Sequence, residues 1–118
     1  MEKYIDGYLL SVATAELQAY KKMAGLARTV WLEHGALDYR ECRGDELDNE
    51  AFASFTKAAG AGPDETVVFA WILFASKAER DRINALAMSD PRLANMECGG
   101  IFDPKRMCWG GFTSMIGS

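Results

Sequence analysis

The apolar residues of this chain switch from one period to another, and they do so twice. From Tyr4 to Val12 they run as a strand, with Tyr4, Asp6, Tyr8 and Leu10 alternating against Ile5, Gly7, Leu9 and Ser11. Both sets carry apolar groups, so both faces of that strand are expected to be covered. A period of three to four then takes over. Leu17, Tyr20, Ala24, Ala27, Trp31 and His34 make one helical stripe, and Lys21, Lys22 and Arg28 fall on the remaining surface. The spacing predicts a helix over about Ala15 to His34, with Thr14 as its N-cap, Glu16 in its first turn and Gly35 at its left-handed end. Leu37 to Arg43 reads as a second strand.

The second half repeats the order. Thr66 to Ala75 contains a continuous apolar run, Val67 to Phe74, as expected of a central strand buried on both faces. Ser76-Lys77-Ala78-Glu79 has the spacing of a capping box and opens a helix over Lys77 to Met88, which Asp90-Pro91 stops. Arg106 to Phe112 reads as the last strand. Strand-helix-strand twice over is the plan of an α+β, ferredoxin-like βαββαβ fold with a four-stranded antiparallel sheet.

Residues Gly44 to Pro63 follow neither period. Four acids, Asp45, Glu46, Asp48 and Glu50, precede Phe52, Phe55 and the flexible Gly60-Ala61-Gly62-Pro63. The two phenylalanines are three apart and suit a short helix folded over the domain. Connections of this length often cover a site or a subunit interface; the plainer and preferred account is an inserted surface excursion anchored by two aromatics.

Composition narrows the function classes. At 118 residues, 49% hydrophobic and 25% charged, the chain is expected to form one domain over 1–118, since two cores would leave each too small. The net charge of −4, with Lys and Arg scattered, offers no footprint for nucleic acid and disfavours anionic membranes. Runs such as Val67 to Ala75 are half the ~20 residues a spanning helix needs, and the acidic, polar Met1-Glu2-Lys3 is not the start expected of a signal peptide with its apolar h-region. The expected location is the cytoplasm. Three cysteines, Cys42, Cys98 and Cys108, form no C-x-x-C pair and fit reduced thiols, while a single histidine argues against a metal site. No cofactor is expected.

The candidate chemistry is sparse. His34, the one histidine, closes the helical stripe, where it suits a general base, a ligand to a metal or haem, or simply a cation at a helix C-terminus. Asp6 sits among Tyr4 and Tyr8, either as an acid or base in an apolar space or in an interior ion pair with Arg40 or Arg106. Trp31, Trp71, Trp109 and Tyr8 are candidate walls of a ligand pocket, although aromatics at strand and helix-stripe positions are more often core. Glu41 and Arg43 share the Tyr39 face of the second strand, with Arg40 and Cys42 opposite; cross-strand pairing explains them. Gly99-Gly100 and Gly110-Gly111 lack the strand-to-helix context of a phosphate loop. A site, if present, is expected between the sheet and the first helix, near Asp6, Trp31, His34 and Trp71.

Five blocks carry a resemblance: Tyr4-Ile5-Asp6-Gly7-Tyr8; Trp31 to Tyr39; Pro63 to Phe69 with Trp71; Ser89-Asp90-Pro91-Arg92; and Phe102 to Met107 with Gly110-Gly111-Phe112. In this order they resemble the bacterial DUF1428, or YbaA-like, family almost end to end. Cys98-Gly99-Gly100 and Cys108-Trp109 depart from the family pattern. The resemblance implies a dimeric α/β barrel, in which two ferredoxin-like subunits pack sheet against sheet, and it brings no catalytic residues. The residues point the same way, since two helices cover one side of such a sheet and Phe69, Trp71, Tyr8 and Trp109 are expected on the other, where a homodimer would bury them. Two functions remain open: a cofactor-independent enzyme acting on a small hydrophobic or aromatic molecule, and a non-catalytic ligand-binding or stress-associated accessory protein.

Overall fold

A computed structural model describes residues 2–96 and 99–117. The strands are β1 (Tyr4–Ala13), β2 (Asp38–Arg43), β3 (Glu65–Phe74) and β4 (Cys108–Thr113), and the helices are α1 (Leu17–His34), α2 (Phe55–Ala58), α3 (Lys77–Met88) and α4 (Pro91–Ala94). All three strand pairings are antiparallel, in the order β2-β3-β1-β4. This is the ferredoxin-like α+β arrangement expected from the sequence, with β3 and β1 central.

The elements start and stop for local reasons, some of them different from those expected. Thr14 to Glu16 form a 3-10 turn ahead of α1, and the Thr14 hydroxyl meets the Thr66 hydroxyl at 2.9 Å instead of capping the helix. Gly35 ends α1 at φ 119°, a conformation that glycine adopts without strain. Ser76 caps α3 by accepting from the Glu79 amide at 3.2 Å, but the Glu79 carboxylate turns to Arg82 rather than completing the box. The last strand begins two residues late because Asp103 caps a 3-10 turn over Pro104–Arg106. Gly111 is required where it stands, since a Cβ there would collide with the Tyr4 phenol lying across β4.

Helices α1 and α3 cover one side of the sheet and pack on each other. That side carries two buried clusters, one of Leu10, Val12, Tyr20, Ala24 and Val68, the other of Ala36, Tyr39, Ile72, Phe74 and Ile83. Tyr8 packs against both. The Cα envelope measures 39 × 36 × 20 Å, and its short dimension holds two layers with no room for a third. The other side of the sheet therefore stays open, with Phe69 46% and Phe112 60% exposed beside half-buried Ile5, Leu9, Trp71 and Leu73.

The pairing register corrects which aromatics face outward. Tyr8 is opposite Ala70 and Trp109, which places all three on the helix side, whereas Trp71 is opposite Gly7 and faces the open side with Phe69. The expected burial of β3 on both faces thus holds on its helix side, where Val68, Ala70, Ile72 and Phe74 are buried, whereas on the open side only Val67 is. The thiols of Cys42 and Cys108 are free and exposed; Cys98 lies outside the described residues. The Gly44 to Pro63 excursion folds onto one end of the open face. There α2, capped by Ser54, sets Phe55 edge-on to Phe69 at 6.5 Å. Phe52 is 76% exposed and anchors nothing, because the short helix begins only at Phe55.

Candidate functional site

Small residues open a gap between the two clusters. Across the helix side of the sheet the register aligns Tyr8 of β1, Ala70 of β3 and Glu41 of β2 in one row, so the floor between two long side chains is a methyl group. Ala24 and Ala27 on α1 leave the opposite wall equally shallow. The result is a cavity of about 310 Å3. Trp31 and Met23 close it from α1, Met88 and Leu93 from the ends of α3 and α4, and Met96, Phe102 and Met107 from the connection to β4.

One charged group reaches this apolar space. The Glu41 carboxylate accepts the Tyr20 hydroxyl on Oε1 at 2.5 Å and the Tyr39 hydroxyl on Oε2 at 2.7 Å. Tyr39 and Glu41 belong to β2 and Tyr20 to α1, so the carboxylate bridges sheet and helix. Burial pushes both phenols well above their ordinary range, and the Glu41 charge pushes them further. Burial, seconded by the Asp6 carboxylate, does the same to Tyr8. All three phenols therefore keep their protons at neutral pH. Outside the bridge lies a surface cleft of about 340 Å3, which shares Tyr20, Ala24, Tyr39 and Glu41 with the cavity and is otherwise bounded by Lys21, Gly25, Arg28 and Arg40. Arg28 donates from Nε to the Tyr39 carbonyl at 3.1 Å.

A second polar focus is fully satisfied. Asp6 has no solvent exposure; Arg80 Nη1 donates to its Oδ1 at 2.7 Å and Asn84 Nδ2 to its Oδ2 at 3.1 Å. The interior ion pair foreseen for Asp6 thus exists, but its partner is Arg80 of α3, and neither Arg40 nor Arg106. Arg40 lies 6.0 Å from the Trp71 ring on the open face, and Arg106 pairs with Glu65 at 2.8 Å. The Arg80 guanidinium also lies 4.7 Å from the Tyr4 ring and 5.7 Å from Trp109. Asn84 accepts the Trp31 indole N–H at 2.9 Å, which links this focus to the cavity wall.

His34 stands apart from both. Its Nε2 lies 3.0 Å from Asp90 Oδ2, joining the end of α1 to the cap of α4. Arg92, more than His34, holds the Asp90 carboxyl well below the usual carboxylate range. Of the residues singled out from the sequence, Tyr8 and Trp31 line the cavity and Asp6 adjoins it through Asn84. His34, Trp71 and Trp109 do not line it. Glu41, Tyr20 and Tyr39 were not foreseen as a unit: Glu41 meets tyrosines rather than a cross-strand cation. The signal was Tyr39-x-Glu41, a strand pair facing the helices with a stripe tyrosine opposite. Among the described residues no group of three or more His, Cys, Asp or Glu side chains is arranged to hold a metal ion.

A family model described as "Protein of unknown function (DUF1428)" matches residues 3–104. The chain belongs to the DUF1428 family. It is 40% identical over 114 residues, 97% of each chain, to "Uncharacterized protein YbaA" of Escherichia coli (strain K12), and equally to the protein of that name from Shigella flexneri. The DUF1428 match takes in β1 to β3, all four helices and every residue of the Tyr20–Glu41–Tyr39 bridge. No described helix is long and apolar enough to cross a membrane.

Proposed function

We propose that this DUF1428 member is a single-domain cytoplasmic protein that binds a small, largely apolar molecule between its sheet and α1, and that two copies pair through their open sheet faces. The observation that carries the binding reading is a carboxylate held by two phenols in the wall of an otherwise apolar space. Glu41 is half-buried, and taking even part of a carboxylate out of water costs free energy that an apolar side chain at position 41 would not. A polar focus in an apolar cavity is what orients a ligand, and thioether walls adapt to its shape.

The test is a thermal-shift screen of small apolar compounds against wild type and Ala70→Leu, which fills the floor between Tyr8 and Glu41. Compounds that stabilise wild type should leave the variant's melting temperature unmoved. Equal stabilisation of both would remove the cavity from consideration.

Catalysis without a cofactor is a second reading of the same atoms. Tyr8 and Glu41 flank Ala70 with backbones about 10 Å apart, two spacings of ~4.8 Å, which is room for one small molecule between a proton acceptor and a phenol donor. Deuterium uptake from solvent into a bound compound, abolished in Glu41→Gln, separates the enzyme from the accessory binding protein.

A further inference from the structure

We propose that the molecule this cavity takes is an apolar amine, bound as its ammonium ion at Glu41; the assignment rests on the reading that the cavity is a binding site. Each phenol has one proton, and Tyr20 and Tyr39 both give theirs to Glu41. What the bridge offers a ligand is therefore lone pairs alone, on two carboxylate and two phenol oxygens. A ligand must bring donors to that surface. An ammonium brings three and a complementary charge, an alcohol brings one and no charge, and a carboxylate brings none and is repelled.

The rest of the lining agrees. Among the described residues no lysine or arginine lines the cavity, so an anion would enter without a counter-charge. Lys21, Arg28 and Arg40 border the cleft outside the bridge, and Lys21 and Arg43 a second surface cleft that also reaches Glu41, but none of them lines the cavity itself. The rings of Tyr8, Trp31 and Phe102 add π faces that favour a cation over a neutral group of the same shape. A volume of about 310 Å3 suits a single ring with a short arm rather than a longer polyamine.

The experiment is calorimetric titration at pH 7 with three probes of one shape: 2-phenylethylamine, 2-phenylethanol and 3-phenylpropanoate. Wild type should bind the amine at least roughly tenfold more tightly than the alcohol, and the acid most weakly. In Glu41→Gln, whose Oε1 can still accept one phenol proton while its Nε2, a donor, leaves the other phenol to accept, the amine should lose its advantage while the alcohol stays within about threefold of its wild-type affinity. Equal affinities for the three probes in wild type, or a preference for the alcohol or acid, overturn the amine assignment whatever the variant does. If Ala70→Leu then still abolishes alcohol binding, the cavity reading stands by itself. An amine preference that survives in Glu41→Gln overturns the role of Glu41 and with it this proposal. Failure of wild type to bind any of the three overturns the assignment and counts against the cavity as well.

Discussion

Arg80 and Asp6 meet at 2.7 Å, Nη1 to Oδ1, beneath α3 at a point where the Asp6 side chain has no solvent exposure. They are 74 residues apart in sequence, and their contact pins α3 to the central strand β1. Asp6 is fully buried between Arg80 and Asn84 and does not line the cavity, so this carboxylate meets no ligand there. Its role lies in packing and energetics rather than in chemistry.

Asp6→Ala should therefore cost about 3 to 5 kcal/mol of stability, since it leaves a guanidinium with 11% side-chain exposure facing an empty site. Asp81, the other carboxylate on Arg80, is 63% exposed and too well solvated to compensate. The double replacement Asp6→Leu with Arg80→Met should recover much of the loss. Urea unfolding midpoints at constant slope measure both. A single-variant loss under about 1 kcal/mol would mean that the pair does not hold α3.

The Glu41 bridge predicts unequal tyrosines. Tyr20→Phe and Tyr39→Phe each strip one donor from a carboxylate oxygen and should each cost about 1 to 3 kcal/mol. Only Tyr20 spans from α1 to β2, so only its loss should speed amide exchange along the β2 edge. In a Glu41→Gln background both costs should shrink, with a coupling of about 0.5 to 3 kcal/mol in double-mutant cycles. Additive losses would mean that the phenols act independently of the carboxylate.

The fold was readable because its signals are local: alternation in β1, the Leu17 to His34 stripe, Gly35 and the Ser76 cap each fix a short stretch regardless of its neighbours. The site was less readable because it depends on register. Moving a strand by one residue exchanges its faces, and nothing in the Val67 to Phe74 run says which of Ala70 and Trp71 points at the helices. That ambiguity put Tyr8 and Trp109 on the open side. It also hid the Tyr8–Ala70–Glu41 row, which exists only once three strands are paired. Asp6 was recognisable as an interior acid, but its partner lay on α3, where Arg80 looks like one more charge in Arg80-Asp81-Arg82.

Acid should weaken the junction between β3 and the turn before β4. Arg106 donates to both oxygens of Glu65, and this contact lowers the Glu65 carboxyl from 4.5 to about 2. A depressed folded-state value means that the contribution is complete above pH 4.5 and is lost as the pH falls toward 2. Melting temperatures followed downward from pH 5 should fall more steeply for wild type than for Glu65→Gln, and the gap between them should close at the acid end. Asp90, also depressed, adds to the decline in both proteins and cancels in the comparison. Parallel curves would sink the assignment.

The last prediction concerns the open face. Ile5, Leu9, Phe69, Trp71, Leu73 and Phe112 form an apolar sheet surface that α1 and α3, both on the other side, cannot reach. Exposed apolar patches of this kind mark interfaces, and a second copy fits best because each copy carries the same flat surface with α2 and Phe55 at its border. A stable pair needs more than about 1,200 Å2 of buried surface in total, which most of one sheet face can supply. Trp71 is half-buried and its side chain lies outside both core clusters, so Trp71→Glu should still fold. The variant should sediment as a monomer where wild type sediments as a dimer at micromolar concentration, with two like charges brought together near the centre of any pair that forms. Wild type that is already monomeric would remove the second copy from this face. A Trp71→Glu protein that remains dimeric would place the contact elsewhere.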